Sequence, residues 1–121
     1  MVDDMSTLTS DKGPIIRWCA QVGQLHIHDE EATSVYRIAH EAIINAIKHA
    51  KAELIQVSLA QKDGMLVLRV QDDGIGFTSN QAQTQHFGLA YMKERAMMIG
   101  AKISIDSEPD EGSQVTLEVK L

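Results

Sequence analysis

The clearest element of the sequence is residues 29–50, DEEATSVYRIAHEAIINAIKHA. Asp29 is a suitable N-cap, two glutamates follow it in the first turn, and basic residues stand near the end, where cations stabilise a helix. Apolar side chains recur along this stretch at helical spacing, at positions 35, 38, 39, 42, 43, 46, 47 and 50. The stretch therefore predicts one long amphipathic helix, whose apolar face needs a second layer to pack against.

Two β-hairpins are predicted on the C-terminal side of this helix. In the first, residues 55–59 and 66–70 alternate between apolar and polar on either side of Asp63-Gly64, a strong turn signal. In the second, alternating residues flank a turn at 109–112. Strict alternation indicates that one face of the sheet is covered while the other faces solvent.

A second helix is predicted between the hairpins, at residues 88–99, with Gly100 as its C-terminal cap. Both helices then lie on the covered face of the sheet. The sequence predicts an α+β fold, a two-layer sandwich with a mixed, mostly antiparallel sheet and helices on one face. The weak pattern of residues 15–27 predicts one or two further strands. Residues 1–13 are predicted to be a flexible tail, and residues 14–121 to form the domain.

Composition and charge restrict the class of function. The 121 residues carry a net charge of −6, with 8 acids against 5 bases in residues 1–60 and 9 against 6 in residues 61–121. Neither nucleic acid nor an anionic membrane is an expected partner of such a domain. A single cysteine, Cys19, fits a reducing, cytoplasmic setting. The sequence shows no signal peptide and no apolar run of the roughly 18 residues that a membrane span needs.

The polar side of the long helix is the first candidate for chemistry. Glu41, Asn45, Lys48 and His49 are predicted to lie away from the apolar stripe. By pattern alone, a solvated polar face is the simpler interpretation. Asparagine is a poor helix former, however, and a carboxylate, a carboxamide and a lysine on one face could hold a hard cation and phosphates.

Two stretches that contain glycine are further candidates. Residues 72–77, DDGIGF, stand at a strand end and form either a simple Asp-Gly turn or a place where a ligand approaches the backbone, with Asp72 as acceptor. Residues 88–95, GLAYMKER, lead from a loop into a helix. They form either an ordinary amphipathic helix or a phosphate site at its N-terminal N–H groups.

In this order, the three stretches resemble the N, G1 and G2 boxes of sensor histidine kinase ATP-binding domains, members of the GHKL ATPase superfamily. The matching motifs are AHEAIINAIKHA at 39–50, DDGIGF at 72–77 and FGLAYMKERA at 87–96. The similarity extends over about residues 29–121 and is closest to the nitrate-sensor-like subfamily. It implies a Bergerat-type fold, with ATP and Mg²⁺ as ligands and a histidine as the phosphoryl acceptor.

The resemblance implies roles for the polar residues of the long helix. Asn45 would coordinate the Mg²⁺ that bridges the phosphates. Glu41 would orient a metal-bound water or the transferring group. Lys48 and His49 would lie near the phosphates. The three residues expected to act in catalysis are therefore Glu41, Asn45 and Lys48.

Further ATP-binding residues are implied in the two glycine motifs and near the C-terminus. Asp72 would accept a hydrogen bond from the adenine amino group, and the Ser113 hydroxyl would support that aspartate. Gly88 would be the hinge of a lid formed by residues 78–87. The remaining nucleotide-binding positions implied by the resemblance are Gly74, Gly76 and Leu89.

The phosphoacceptor is the part of a histidine kinase that the sequence lacks. Only about 28 residues precede the helix, too few for a long two-helix hairpin at 1.5 Å per residue. The expected function is therefore that of a cytoplasmic catalytic domain from a two-component sensor kinase, and membrane anchoring of its parent stays open. Its expected partners are a separate histidine dimerisation domain and a response regulator. The alternatives are a stand-alone anti-sigma-type serine kinase and a non-catalytic nucleotide-binding interaction module.

Overall fold

Six strands and two helices make up the computed structural model, which describes residues 2–8, 13–23, 26–76 and 88–121. Both helices and both C-terminal hairpins occur where the apolar periods predict them. The elements are β1 (Val2–Leu8), β2 (Ile15–Val22), α1 (Asp29–Lys48), β3 (Leu54–Lys62), β4 (Met65–Asp72), α2 (Leu89–Met98), β5 (Lys102–Glu108) and β6 (Gly112–Lys120).

The strands form a single mixed sheet in the order β1-β2-β3-β4-β6-β5. β2 and β3 are parallel because α1 connects them, and every other neighbouring pair of these strands is antiparallel. The register aligns Val57 with Val70 and Val70 with Val115. Alternate side chains of the neighbouring strands therefore build one continuous apolar face.

Both helices pack on this apolar face and close the core. α1 packs against β4 and β6, α2 packs against β5, and the two helices contact each other. The residues that each helix buries are Ser34, Ile38, Ala42 and Ala46 of α1 and Met92 and Ala96 of α2. The two-layer α+β prediction is confirmed. Neither helix is long and apolar enough to cross a membrane, as judged over the described residues.

Two predictions about the N-terminal part of the chain are wrong. Residues 1–13 were expected to be a flexible tail, yet residues 2–8 form β1, antiparallel to β2. Backbone hydrogen bonds to one neighbour can hold an edge strand, so it needs no alternating apolar pattern. Asp29 was expected to be the N-cap of α1, but His28 is, and its N–H donates to the Glu31 carboxylate at 3.0 Å.

Candidate functional site

The half-buried carboxylate of Asp72 stands at the end of β4, opposite Ser113 of β6. The Ser113 hydroxyl donates a hydrogen bond of 2.5 Å to Asp72 Oδ2. The Gly74 N–H donates one of 2.9 Å to Asp72 Oδ1. The structure thus brings these three predicted site residues together, and the two hydrogen bonds fix the orientation of the carboxylate.

The loop that follows β4 is tied to the C-terminal end of α1. Gly74 is buried against Ala50, and a Cβ at this position would collide with the Ala50 carbonyl. The Ile75 N–H donates a hydrogen bond of 2.9 Å to the same Ala50 carbonyl oxygen. Asp73 Oδ1 accepts hydrogen bonds of 2.9 Å from the N–H groups of Glu53 and Leu54. The two adjacent aspartates therefore differ in role, because Asp73 holds the loop while Asp72 faces β6.

The turn between β5 and β6 borders the same loop. The Asp110 N–H donates to the Ile75 carbonyl at 2.6 Å, and Gly76 lies against the carbonyl of Glu108. Gly112 is buried against the carbonyl of Asp72. The sequence analysis placed Gly112 only in the predicted turn at 109–112. It missed this contact because the contact joins two distant parts of the chain.

The four polar residues of α1 do not share one environment. Glu41 and Asn45 are half-buried at the border of the apolar stripe, whereas Lys48 and His49 are exposed near the helix end. This corrects the prediction that all four lie away from the stripe. Seven residues make nearly two helical turns, so Asn45 falls almost in line with the buried Ile38. A half-buried carboxylate and carboxamide argue against a merely solvated face.

The entry to α2 lies directly against the middle of α1. Gly88 is the N-cap of α2, with a φ of 73° in the left-handed region that favours glycine. A Cβ on Gly88 would collide with the Glu41 carboxylate. Leu89, the first residue of α2, is half-buried and packs against the core. The predicted lid, residues 78–87, lies outside the described residues.

Three segments that are distant in the sequence therefore meet along α1 and β4. The loop after β4 contacts Ala50, two residues beyond the end of α1, and the entry to α2 contacts α1 at Glu41. Seven residues separate Glu41 from Lys48, where α1 ends, which corresponds to about 10 Å of helix. Asn45 lies between them on the same helix. The site thus suits an elongated ligand, with one end near Asp72 and the other near Glu41.

The side-chain oxygens of Glu41 and Asn45 on α1 suit Mg²⁺, which takes only some of its ligands from the protein. The described residues contain no group of three or more His, Cys, Asp or Glu side chains that could hold a metal ion. Mg²⁺ usually takes one or two protein oxygens and completes its octahedron with phosphate and water oxygens. Asn45 and Glu41, four residues apart on α1, offer such oxygens.

Comparison with known families shows which family the chain belongs to. The family model of histidine kinase-, DNA gyrase B- and HSP90-like ATPases matches residues 30–121. This chain belongs to that family. Among ATPases of this family, the sensor protein VraS of Staphylococcus aureus (strain COL) is 40% identical over 87 residues, which are 72% of this chain and 25% of VraS. VraS of Staphylococcus saprophyticus is 36% identical over 103 residues, covering 78% of this chain and 30% of that protein.

Solved structures share the fold of this ATPase-family chain. The blue-light activated histidine kinase of Erythrobacter litoralis EL346 superimposes with a TM-score of 0.72 at 20% identity, covering 88% of this chain and 35% of that one. The ATP binding domain of PrrB from Mycobacterium tuberculosis gives 0.61 at 22% identity, covering 89% and 74%. The resemblance to the ATP-binding domain of a sensor histidine kinase is confirmed. The chain spans only about a quarter of the length of the first curated relatives.

Proposed function

We propose that this domain binds Mg-ATP and donates the γ-phosphoryl group to a histidine on a separate dimerisation domain, which passes it to a response regulator. The observation that carries the proposal is a pair of contacts, Gly74 against Ala50 just beyond the end of α1 and Gly88 against Glu41 within α1. These contacts support a site with an adenine end near Asp72 and a phosphate end near Glu41. We assign the domain to the cytoplasm, where its single cysteine stays reduced.

The adenine end of the proposed site is the carboxylate of Asp72. Ser113 and Gly74 each occupy one of its oxygen atoms with a hydrogen bond, which holds the carboxylate in one orientation. A carboxylate oxygen has room for a second donor, and the adenine amino group is such a donor. Gly74 and Gly76 have no side chain, which lets the loop next to this carboxylate pack against Ala50 and Glu108.

The phosphate end of the proposed site runs from Asn45 toward Glu41. Asn45 would hold the metal, and the exposed Lys48 and His49 would face the phosphates. Gly88 and Leu89 begin α2, whose N-terminal N–H groups favour an anion. Bound Mg²⁺ would neutralise charge on the transferring phosphoryl group. Glu41 would orient that group or a water beside it.

The transfer is a displacement at the γ-phosphorus. A lone pair on an imidazole nitrogen of the acceptor forms the new N–P bond. The bond from phosphorus to the oxygen that bridges the β-phosphate breaks, and ADP leaves with the electron pair. The ring then releases its remaining N–H proton to solvent. Such reactions depend mainly on positioning and on charge stabilisation, which this site's residues supply.

Phosphotransfer with labelled ATP tests the proposal. The chain is incubated with Mg-ATP and with histidine hairpin domains from two-component sensor kinases. We expect an acid-labile, base-stable label on a hairpin, as phosphohistidine requires. Asn45→Ala should lose this transfer and keep ADP binding, since the metal loses its protein ligand while Asp72 is untouched. Gln56→Ala, a carboxamide on the exposed side of β3, is the matched control.

The remaining outcomes identify the alternatives. An acid-stable label on a serine of a partner protein would favour the anti-sigma-type kinase. ATP binding without transfer to either kind of acceptor would favour the non-catalytic module. An Asn45→Ala variant that transfers at the unchanged rate would remove Asn45 from the mechanism.

A further inference from the structure

Asp73, the residue after the proposed adenine acceptor, is bonded to the connection between α1 and β3. Its Oδ1 atom accepts hydrogen bonds of 2.9 Å from the N–H groups of both Glu53 and Leu54. Its own N–H donates to the Leu54 carbonyl at 3.3 Å. Three hydrogen bonds therefore hold Asp73 to two consecutive residues of a segment about twenty positions earlier in the chain.

The connection that Asp73 holds contains a residue in an unfavourable backbone conformation. Lys51 has a φ of 52°, in the left-handed region that residues other than glycine rarely adopt. Such a conformation persists where the surrounding structure restrains it. The loop after β4 restrains the chain on both sides of Lys51, because the Ile75 N–H donates to the Ala50 carbonyl and Asp73 accepts from the Glu53 N–H. The loop and the connection therefore form one hydrogen-bonded unit.

The orientation of the Asp72 carboxylate depends on this unit. Asp72 Oδ1 accepts a hydrogen bond of 2.9 Å from the Gly74 N–H, and Asp73 lies between these two residues in the chain. A shift of Asp73 therefore moves the Gly74 donor relative to the Asp72 carboxylate. Gly74 is also packed against Ala50, so the donor is placed by the same connection that Asp73 holds. Asp73 can thus influence the proposed adenine acceptor without itself contacting adenine.

We propose that Asp73 is a positioning residue of the nucleotide site, which acts through Asp72 by fixing the orientation of that carboxylate toward adenine. The inference rests on the proposed function and adds a residue to the adenine end of the same site. Both hydrogen bonds from the connection reach one oxygen atom of Asp73, and a carboxamide oxygen can also accept two. At Asp72 the two oxygens accept from different donors, so an asparagine there would turn its NH₂ group toward one of them. The same substitution should therefore be tolerated at Asp73 and harmful at Asp72.

Calorimetry with Mg-ADP on the full chain tests the proposal. For Asp73→Ala we expect the affinity to fall at least fivefold, and for Asp73→Asn to stay within twofold of the unchanged chain. Glu31→Ala is the matched control, because it removes another carboxylate that accepts a backbone N–H, that of His28 at 3.0 Å, at the opposite end of α1. It should leave the affinity unchanged. Thermal melting of each variant sets a temperature at which all of them are folded.

A double-mutant cycle tests whether Asp73 acts through Asp72. Asp72→Asn alone should weaken Mg-ADP binding at least tenfold, and adding Asp73→Ala should weaken it by less than a further twofold, because the oriented acceptor is already lost. Two losses that simply multiply would overturn the inference, and so would a loss in Asp73→Asn as large as that in Asp73→Ala. If Asp72→Asn weakens binding while Asp73→Ala does not, the inference alone fails. If the unchanged chain does not bind Mg-ADP, the proposed function itself fails and the inference fails with it.

Discussion

At Asp72, each carboxylate oxygen already accepts one hydrogen bond, from Ser113 and from Gly74. If this carboxylate binds adenine, Asp72→Asn should weaken ADP binding by roughly 1.5–3 kcal/mol, because a charge-assisted hydrogen bond is lost. Ser113→Ala should cost less, about 1 kcal/mol, since it removes only the group that orients the acceptor. Calorimetry with ADP measures both. Ser104→Ala, an exposed serine of β5, is the control, and equal affinity in all variants would contradict the assignment.

Gly88 is constrained both by its backbone and by its neighbour. Alanine at this position should lower the free energy of unfolding by about 1–2 kcal/mol, because φ is 73°. Gly100 has a φ of 65° with open space around it, so Gly100→Ala carries the same backbone cost without a collision. Only Gly88→Ala also displaces the Glu41 carboxylate, so only it should slow phosphotransfer, at least tenfold at saturating Mg-ATP. Equal transfer rates in the two variants would show that Glu41 can move without consequence.

At the scale of the element, Met92 is the large side chain that α2 buries in the core. Met92 is completely buried between the helix and the core, whereas Met97, five residues later, is 79% exposed. Met92→Ala should lower the free energy of unfolding by roughly 2–5 kcal/mol, through lost apolar burial and the cavity left behind. Met97→Ala should change it by less than about 0.5 kcal/mol. Urea denaturation measures both, and similar costs would mean that α2 is not held through this contact.

The same scale explains which elements the sequence could predict. α1 and the two C-terminal hairpins bury one face each, so their periods of 3.6 and 2 residues are visible in the chain. β1 leaves no such pattern, because backbone pairing can hold an edge strand. The site residues likewise divide into those that a sequence motif identifies and those that only the packing brings together. Motif resemblance named Asp72 and Ser113, but the contact of Gly112 with the carbonyl of Asp72 joins two distant parts of the chain, which no local pattern records.

At the scale of the whole molecule, the position of the histidines determines what the chain can do alone. Among the described residues, His28 caps α1, His40 lies within it and His49 ends it, while His26 just precedes it. All four therefore belong to or adjoin the helix that is proposed to carry the phosphates. None stands on a separate rigid element that faces that helix, and transfer needs an acceptor nitrogen about 3–3.5 Å from the γ-phosphorus.

The isolated chain should therefore bind ATP without labelling itself, and should transfer phosphate only to an added hairpin. A tethered acceptor has an effective concentration in the millimolar range, so the added hairpin is needed at a comparable level. Labelled ATP, followed by acid and base treatment, measures the outcome for the chain alone and for the mixture. His28→Ala and His40→Ala test whether a histidine at the start of α1 or within it accepts the phosphoryl group. Strong acid-labile label on the isolated chain that either change removes would make that histidine the acceptor, and the separate domain would be unnecessary.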